Sequence, residues 1–254
     1  MKRAYFEIKE NDRLADRTYE MKLTCPDNSH GVTRPGQFIN IRLDGFFLRR
    51  PISVCDWTET GLTIIYKTVG AGTEAMSQMQ QGERLDILTP LGNGFDVDAV
   101  ETATAAACKR PVLVGGGAGV PPMYGLCREL LARGERPMVI LGFNSENECF
   151  YIDEFKELGA DVMVTTADGS VGRKGFVTDA LADVDCGYIC ACGPEGMLRA
   201  IDETVSGEVG GQFSFEERMG CGFGACMGCS CETKYGSKRI CKEGPVLDRG
   251  EILW

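Results

Sequence analysis

The stretch PVLVGGGAGVPPMYGLCREL (residues 111–130) has the pattern of a buried strand, a glycine-rich loop and a helix, in that order. Pro121 and Pro122 suit the first turn of that helix, because proline has no backbone N–H to leave unpaired there. A strand that leads into a helix is the repeating unit of a parallel α/β sheet. Free N–H groups at such a helix start favour a bound pyrophosphate. The loop is not the G-x-G-x-x-G fingerprint, since Val120 and Pro122 stand where its last glycine would be.

Apolar runs alternate with helical segments further along the chain. The strand-like runs are RPMVILGF (136–143), ADVMVTT (160–166) and CGYICACG (186–193), and the clearest helical segments between them are YIDEFKELG (151–159) and GFVTDALAD (175–183). This alternation predicts a parallel α/β domain over residues 101–210. The segment ETATAAACKR (101–110) is expected to link it to the domain before it.

Residues 1–100 have a different pattern, in which short alternating or apolar segments are separated by glycine and proline. The six segments are YFEIKE, RTYEMKLTC, GQFINIRL, RPISVCDW, GLTIIYKTVG and ERLDILTPLG. Short strands at this spacing are typical of an antiparallel barrel or sandwich. The predicted fold class is therefore β + α/β, with an N-terminal antiparallel β-barrel before the α/β domain.

The last part of the chain, residues 211–254, is rich in glycine and cysteine. GCGFGACMGCSC (220–231) contains C-x4-C-x2-C in Cys221, Cys226 and Cys229, and eleven residues separate Cys229 from Cys241. This is the spacing of a plant-type [2Fe-2S] site. So small a segment buries little apolar surface by itself, and we expect a metal to hold it together.

Two alternatives concern this cysteine-rich segment. A structural zinc site usually has two paired knuckles, whereas only Cys226 and Cys229 form one here. Cys231 could replace Cys241 as the fourth ligand. We favour Cys241, because Cys231 is too close to Cys229 in sequence to complete a cage without strain.

Composition excludes several classes of function. A formal charge of −10 disfavours nucleic-acid binding, which draws on clustered Lys and Arg. No apolar run approaches the ~20 residues of a membrane-spanning helix. The N-terminus lacks the apolar core of a signal peptide, and we expect a cytoplasmic protein. His30 is the one histidine and lies in the polar stretch PDNSHG, so we give it no catalytic role.

Two further segments point to a second phosphate-binding site. RRPISV (49–54) has the pattern of a strand, and IIYKTVGAGTEAM (64–76) that of a strand, a glycine turn and a helix. Thr73 is expected to cap the helix, whose free N–H groups would face a pyrophosphate. Gly70 and Gly72 would allow close approach, and Arg50 could add a bidentate contact.

These two segments resemble the flavin site of the ferredoxin–NADP reductase superfamily, with its R-x-Y-S strand and G-x-G-[ST] helix start. GGGAGVPP and ACGPEGM (191–197) are similar to the nicotinamide motifs of that superfamily. With the cysteine tail, the full set resembles the electron-transfer subunits of type 1B dihydroorotate dehydrogenase, from about residue 5 to residue 248. Ile52 stands where the superfamily has an aromatic residue, which puts stacking on the flavin from that position in doubt.

The resemblance implies that the barrel holds FAD, the α/β domain binds NAD(H) and the tail holds a [2Fe-2S] cluster. The FAD contacts that it implies are Arg50, Pro51, Ile52, Ser53, Ile65, Tyr66, Lys67, Gly72 and Thr73. The expected nicotinamide-nucleotide contacts are Gly115, Gly116, Gly117, Gly119, Asp168, Cys192, Gly193 and Pro194. The implied cluster ligands are Cys221, Cys226, Cys229 and Cys241.

Charge at the strand ends favours NADH over NADPH. A free ribose diol prefers acceptors, whereas a 2′-phosphate calls for Arg or Lys. Glu146, Glu148 and Asp168 follow the second and third strands of the α/β domain. Arg173 and Lys174 lie close in sequence to these acids, so binding of NADPH stays an alternative.

Electron counting sets the expected order of the cofactors: NADH gives up two electrons together, whereas a [2Fe-2S] cluster changes by one, so FAD must act between them. The resemblance implies a partner, an FMN-containing catalytic subunit that interconverts dihydroorotate and orotate, in a heterotetramer with two copies of each subunit. One alternative is the small subunit of another NADH–ferredoxin reductase or transhydrogenase complex. Another is a non-enzymatic, zinc-stabilised adaptor. The terminal Trp254 could lie in an interface or pack on its own domain.

Overall fold

A closed barrel of six antiparallel strands forms the N-terminal part of the computed structural model, which describes residues 1–25 and 30–254. In chain order the strands are β1 (Lys2–Ala15), β2 (Thr18–Thr24), β3 (Phe38–Arg42), β4 (Arg50–Trp57), β5 (Gly61–Lys67) and β6 (Arg84–Leu91). They lie in the order β1-β2-β5-β4-β3-β6 around the barrel, and the short helix α1 (Ala71–Ser77) follows β5. Each of the six predicted segments contributes one strand.

The barrel interior follows from the two-residue repeat of its strands. Ile39 and Ile41 of β3 are fully buried in the barrel core with Phe6 and Ile8 of β1. The alternate residue Phe38 packs instead against the cysteine-rich tail. β3 is therefore covered on both faces, which explains its continuous burial.

The α/β domain is built on parallel strands, as predicted. Its elements are α2 (Val97–Ala107), β7 (Pro111–Gly116), α3 (Val120–Ala132), β8 (Met138–Phe143), α4 (Ile152–Glu157), β9 (Asp161–Thr166), β10 (Arg173–Lys174), α5 (Val177–Leu181), β11 (Tyr188–Cys192) and α6 (Glu195–Thr204). The segment 101–110, expected to be a link, lies largely in helix α2. Asp96 caps this helix, accepting a hydrogen bond from the Ala99 N–H at 3.2 Å, and Val97 and Val100 face the core.

The tail contributes to the same sheet. Its strands are β12 (Gly211–Ser214), β13 (Ser230–Thr233), β14 (Gly236–Arg239) and β15 (Val246–Asp248). β12 pairs in parallel with β11, and β15 pairs antiparallel with β12, giving the order β10-β9-β8-β7-β11-β12-β15. The tail is thus anchored by backbone pairing as well as by any metal, while β13 and β14 form a separate hairpin.

The terminal residue Trp254 packs on its own chain. Its ring lies 6.1 Å from that of Phe213 and 5.8 Å from that of Phe215, and its indole N–H donates to Asp202 Oδ2 at 2.7 Å. The two expectations for Trp254 were an interface and packing on its own domain, and the structure shows the second. The predicted fold class is confirmed. Among the residues described, no helix has the length and apolar character to cross a membrane.

Candidate functional site

The two segments assigned to FAD meet in space. The Arg50 side chain lies so close to the start of α1 that a Cβ on Gly72 would stand 2.2 Å from Arg50 Nε. The guanidinium also lies over the Phe46 ring, 4.9 Å from its centroid. The guanidinium therefore occupies the space beside Gly72, and a cationic side chain stands next to the helix start, as a pyrophosphate site needs.

The prediction that Thr73 caps α1 was wrong. Gly70 is the N-cap, in an extended conformation, and Thr73 lies in the first turn. The Thr73 hydroxyl accepts a hydrogen bond from the Val69 N–H at 2.9 Å and donates one to the Gly70 carbonyl at 3.1 Å. The helix begins earlier than expected because the Thr73 hydroxyl, inside the first turn, hydrogen-bonds to the backbone of the two residues before the helix, Val69 and Gly70.

The side chains of β5 point in different directions. Tyr66 is buried in the barrel core, and its hydroxyl donates to Asn11 Oδ1 at 2.8 Å. Only the backbone of Tyr66 is left for a flavin contact. Ile65 packs toward the α/β domain, and Lys67 lines the cavity described below. Ile52 of β4 packs against the barrel core.

The two nicotinamide motifs are also in contact. A Cβ on Gly119 would stand 2.0 Å from the Cys192 carbonyl oxygen, and one on Gly116 would stand 2.4 Å from Met197 Sδ. These glycines let the loop after β7 pack on the turn after β11. Gly117, with φ of +52° and open space around it, faces the cavity instead.

A cavity of about 600 Å³ opens at the carboxyl ends of the parallel strands. This is the edge at which α/β sheets bind nucleotides. Its walls come from the barrel, both glycine motifs and the tail: Lys67, Gly116, Gly117, Ala118, Gly142, Phe143, Asn144, Glu148, Thr165, Ala167, Gly175, Phe176, Val177, Thr178, Pro194, Gly196, Met197, Ala200 and Glu216.

Of the three acids predicted to select NADH, Glu148 lines this cavity. Its carboxylate pairs with Lys67 Nζ at 2.7 Å and accepts from Asn144 Nδ2 at 3.0 Å, and the Lys67 contact holds the pKa of Glu148 below its usual range. Asp168 is instead engaged by Ser170 in its own turn. Glu146 and Asp168 are not among the cavity-lining residues. Arg173 is paired with Asp183.

Glu216 is a cavity residue that the sequence reasoning missed. Its side chain lines the cavity and stays exposed to solvent, while the protein groups around it raise its pKa by desolvation. The nearby Cys192 thiol is fully buried, and burial raises its pKa as well. No local pattern marks Glu216, because it lies beyond the end of β12 (Gly211–Ser214) and only the fold brings it to the cavity.

The four predicted ligand cysteines stand in two pairs. The thiols of Cys221 and Cys226 lie close enough to affect each other's pKa, and so do those of Cys229 and Cys241, where the Cys241 N–H also donates to Cys229 Sγ at 3.4 Å. Two thiolates for each of two metal atoms is what a [2Fe-2S] cluster requires. In the described part of the chain, no group of three or more His, Cys, Asp or Glu side chains has the arrangement of a single metal-ion site.

Backbone amides point at these sulfur atoms. The Ala225 N–H donates to Cys221 Sγ at 3.2 Å, and the Gly224 N–H donates to Cys241 Sγ at 3.1 Å. Although burial acts in the opposite direction, such amide contacts lower the pKa of Cys221 to about 6. The loop therefore favours a thiolate at Cys221 at neutral pH, which is the form that binds iron.

Cys231 lies apart from this arrangement. It belongs to β13, where it is paired with Lys238 of β14, and burial raises the pKa of its thiol. Cys229 and Cys241 are buried in the core beneath the loop, and Cys231 packs against the edge of the same core. The thiol donors and the inward amides fit a cluster held by the four predicted cysteines.

Comparison with family models identifies two segments. Residues 216–253 match the iron–sulfur cluster binding domain of dihydroorotate dehydrogenase B. Residues 113–203 match the oxidoreductase NAD-binding domain.

The chain is similar over nearly its whole length to curated proteins. It is 43% identical over 258 residues to the electron transfer subunit of dihydroorotate dehydrogenase B (NAD(+)) from Fusobacterium nucleatum, covering 96% of each chain. It is 41% identical over 252 residues to the subunit of the same name from Bacillus mycoides, covering 94% of each.

Solved structures share the fold. A structure of NADH-dependent reduced ferredoxin–NADP oxidoreductase superposes with a TM-score of 0.85 at 28% identity, covering 98% of this chain and 90% of that one. The flavohemoglobin of Malassezia yamatoensis, with bound FAD and heme, gives a TM-score of 0.68 at 23% identity, covering 80% of this chain and 56% of that one.

Proposed function

The chain belongs to the family of electron-transfer subunits of dihydroorotate dehydrogenase B, and from this premise we propose that it carries electrons between NADH and a separate FMN-containing subunit that interconverts dihydroorotate and orotate. The observation that carries the proposal is the meeting of three sites in one chain. The paired thiols of the tail, the Arg50–Gly72 site and the nucleotide cavity all lie around the junction of barrel, sheet and tail.

Each site has a role in this proposal. Arg50 and the first turn of α1 hold the FAD pyrophosphate, and the β4 and β5 strands support the ring system. The loop after β7 and the turn after β11 hold the nicotinamide nucleotide. Cys221, Cys226, Cys229 and Cys241 hold the cluster. When bound, FAD supplies the exchange between paired electrons and single electrons that neither NADH nor the cluster can make alone.

The chain's own groups orient the nucleotide. Phe176, Met197 and Pro194 give the cavity an apolar wall. Glu148 offers an acceptor to a ribose diol, so NADH is the preferred donor.

The partner binds the face that carries the cluster. Phe223 and Met227, in the loop between the cysteines, are 42% and 54% exposed, and exposed apolar side chains at this point suit a protein interface. A heterotetramer with two copies of each subunit, in the cytoplasm, is the assembly we propose. A partner subunit is needed because an exposed cluster without an electron acceptor beside it would pass its electrons to oxygen.

Reconstitution tests the function. The purified chain should show flavin and cluster absorption and should reduce artificial dyes with NADH. It should act on dihydroorotate or orotate only when an FMN-containing catalytic subunit is added. Cys226→Ser should keep NADH oxidation by dyes and lose electron transfer to that subunit.

Two results would contradict the proposal. One is oxidation of dihydroorotate by the single chain. The other is NADH-dependent reduction of ferredoxin with no response to the catalytic subunit, which would favour a role like that of the ferredoxin–NADP oxidoreductase relative.

A further inference from the structure

Asn40 lies where the barrel meets the tail. It is 1% exposed and stands in β3 between Ile39 and Ile41, which fill the barrel core, so its side chain points outward. Asn40 is directly opposite Pro51 of β4. Residues opposite each other in a sheet share a face. Asn40 therefore shares a face with Pro51 and Ser53 of the RPIS segment to which we assign FAD.

The Asn40 side chain also holds the cysteine loop. Its Nδ2 donates to the carbonyl oxygen of Cys221 at 3.2 Å, across 181 residues of sequence. A Cβ on Gly222 would stand 2.2 Å from the same Nδ2, and Gly222 has φ of +79°. The loop is thus shaped around this amide at the first cysteine of the cluster motif.

The other half of the amide is unpaired. Asn40 Oδ1 is buried and has no hydrogen-bond partner among the residues that the structure describes. A buried acceptor without a donor is costly and calls for an explanation. The Asn40 backbone is held in place, so it cannot move to bring Oδ1 to a donor. Arg49 Nη1 donates to the Asn40 carbonyl at 3.2 Å and to the Asp86 carbonyl at 2.9 Å.

We propose that Asn40 is a positioning residue between the two redox sites, holding Cys221 through its amide nitrogen and accepting a hydrogen bond from the bound flavin through its amide oxygen. The proposal rests on the proposed function, since it requires both FAD and the cluster. One short side chain then fixes the cysteine loop relative to the flavin strand. Groups next to first ligands are known to tune metal sites in this way.

Two variants of Asn40 separate the roles of its amide nitrogen and amide oxygen, and a third variant is the control. Asn40→Leu keeps the volume and removes both donor and acceptor. Asn40→Asp keeps an acceptor and removes the donor to Cys221. Asn93→Ala is the matched control, because Asn93 also joins barrel to tail, donating to the Val246 carbonyl at 2.7 Å and to the Glu243 carbonyl at 3.1 Å.

The measurements are iron content, the EPR spectrum of the reduced cluster, FAD affinity and the distribution of one electron between flavin and cluster in a redox titration. Both Asn40 variants should load iron, show altered EPR g-values, and shift that distribution by about fivefold, the effect of one net hydrogen bond. FAD affinity should fall in Asn40→Leu and be kept in Asn40→Asp. Asn93→Ala should resemble the wild type in all four.

Different failures have different meanings. A wild-type chain without flavin and iron would overturn the proposed function itself. A loaded wild type with Asn40 variants that match Asn93→Ala in EPR spectrum and electron distribution would overturn only the role of Asn40. Should Asn40→Leu fail to fold, Asn40→Asp alone decides, because its EPR spectrum reports the Cys221 contact directly.

Discussion

Individual side chains divide the thirteen cysteines into different chemical roles. Cys221 lies in a loop whose amides stabilise a thiolate, whereas Cys55 and Cys190 are fully buried and burial raises their pKa. Buried neutral thiols of that kind pack as small apolar groups. The surroundings, rather than the residue type, decide which cysteines can bind iron.

Serine substitution tests the ligand set at this scale. Cys241→Ser should abolish or strongly alter the rhombic EPR signal of the reduced cluster, because Cys241 pairs with Cys229 in the core. Cys231→Ser should leave the signal normal, since Cys231 is a strand residue of β13. A normal signal in Cys241→Ser together with its loss in Cys231→Ser would reverse the assignment.

Single residues also set the preference for NADH over NADPH. The wild type should have a higher kcat/KM for NADH than for NADPH, because Glu148 lines the cavity and Arg173 is held by Asp183. Glu148→Gln should reduce that preference about tenfold, since hydrogen bonds to charged groups contribute roughly 1.5–3 kcal/mol. Glu146→Gln is the control and should change it little. A wild type that uses NADPH equally well would show that Arg173 or Lys174 outweighs Glu148.

Two elements of the α/β domain meet at a glycine. The start of α3 can approach the end of β11 because Gly119 brings its backbone against the Cys192 carbonyl, where a Cβ would stand 2.0 Å from the oxygen. This contact therefore depends on the absence of a methyl group at Gly119.

Gly119→Ala tests this at the scale of the elements. Its Cβ would overlap the Cys192 carbonyl, and overpacking of this kind costs about 1–3 kcal/mol or more. We expect a lower thermal midpoint and a raised KM for NADH. Gly207→Ala, in open space, should change neither. A fully stable Gly119→Ala with normal KM would mean that the loop can move away from β11 at no cost.

The whole molecule presents its cluster loop at the surface while the rest of the tail is locked to the sheet. β12 and β15 extend the parallel sheet, and Arg249 binds four backbone carbonyls between Asp202 and Val209. Electrons can thus leave from a loop that is exposed and yet rigidly anchored. Such an arrangement suits a chain that acts only as part of a larger assembly.

Docking through this loop can be measured with purified subunits. Phe223→Ser should weaken binding to the FMN-containing subunit about tenfold, the effect of losing an apolar anchor worth more than 1 kcal/mol. Tyr235→Ser, which removes an exposed aromatic from the β13–β14 turn, is the control and should bind normally. Normal binding by Phe223→Ser would place the interface elsewhere, and equal weakening by both variants would show that the interface is not confined to this loop.

The sequence by itself determined the order of elements and the chemical types at the sites, because strand alternation, glycine loops and cysteine spacing are local signals. All six barrel strands, the four parallel strands β7, β8, β9 and β11 of the α/β domain, and the helix at 120–132 could be predicted in this way. Contacts between distant segments were decided only by the tertiary structure. The cap of α1, the entry of Glu216 into the cavity, the occupation of Asp168 by its own turn and the Asn40–Cys221 hydrogen bond all depend on which residues the fold brings together. Local pattern carries no information on such pairs, since their energies arise only when the chain is packed.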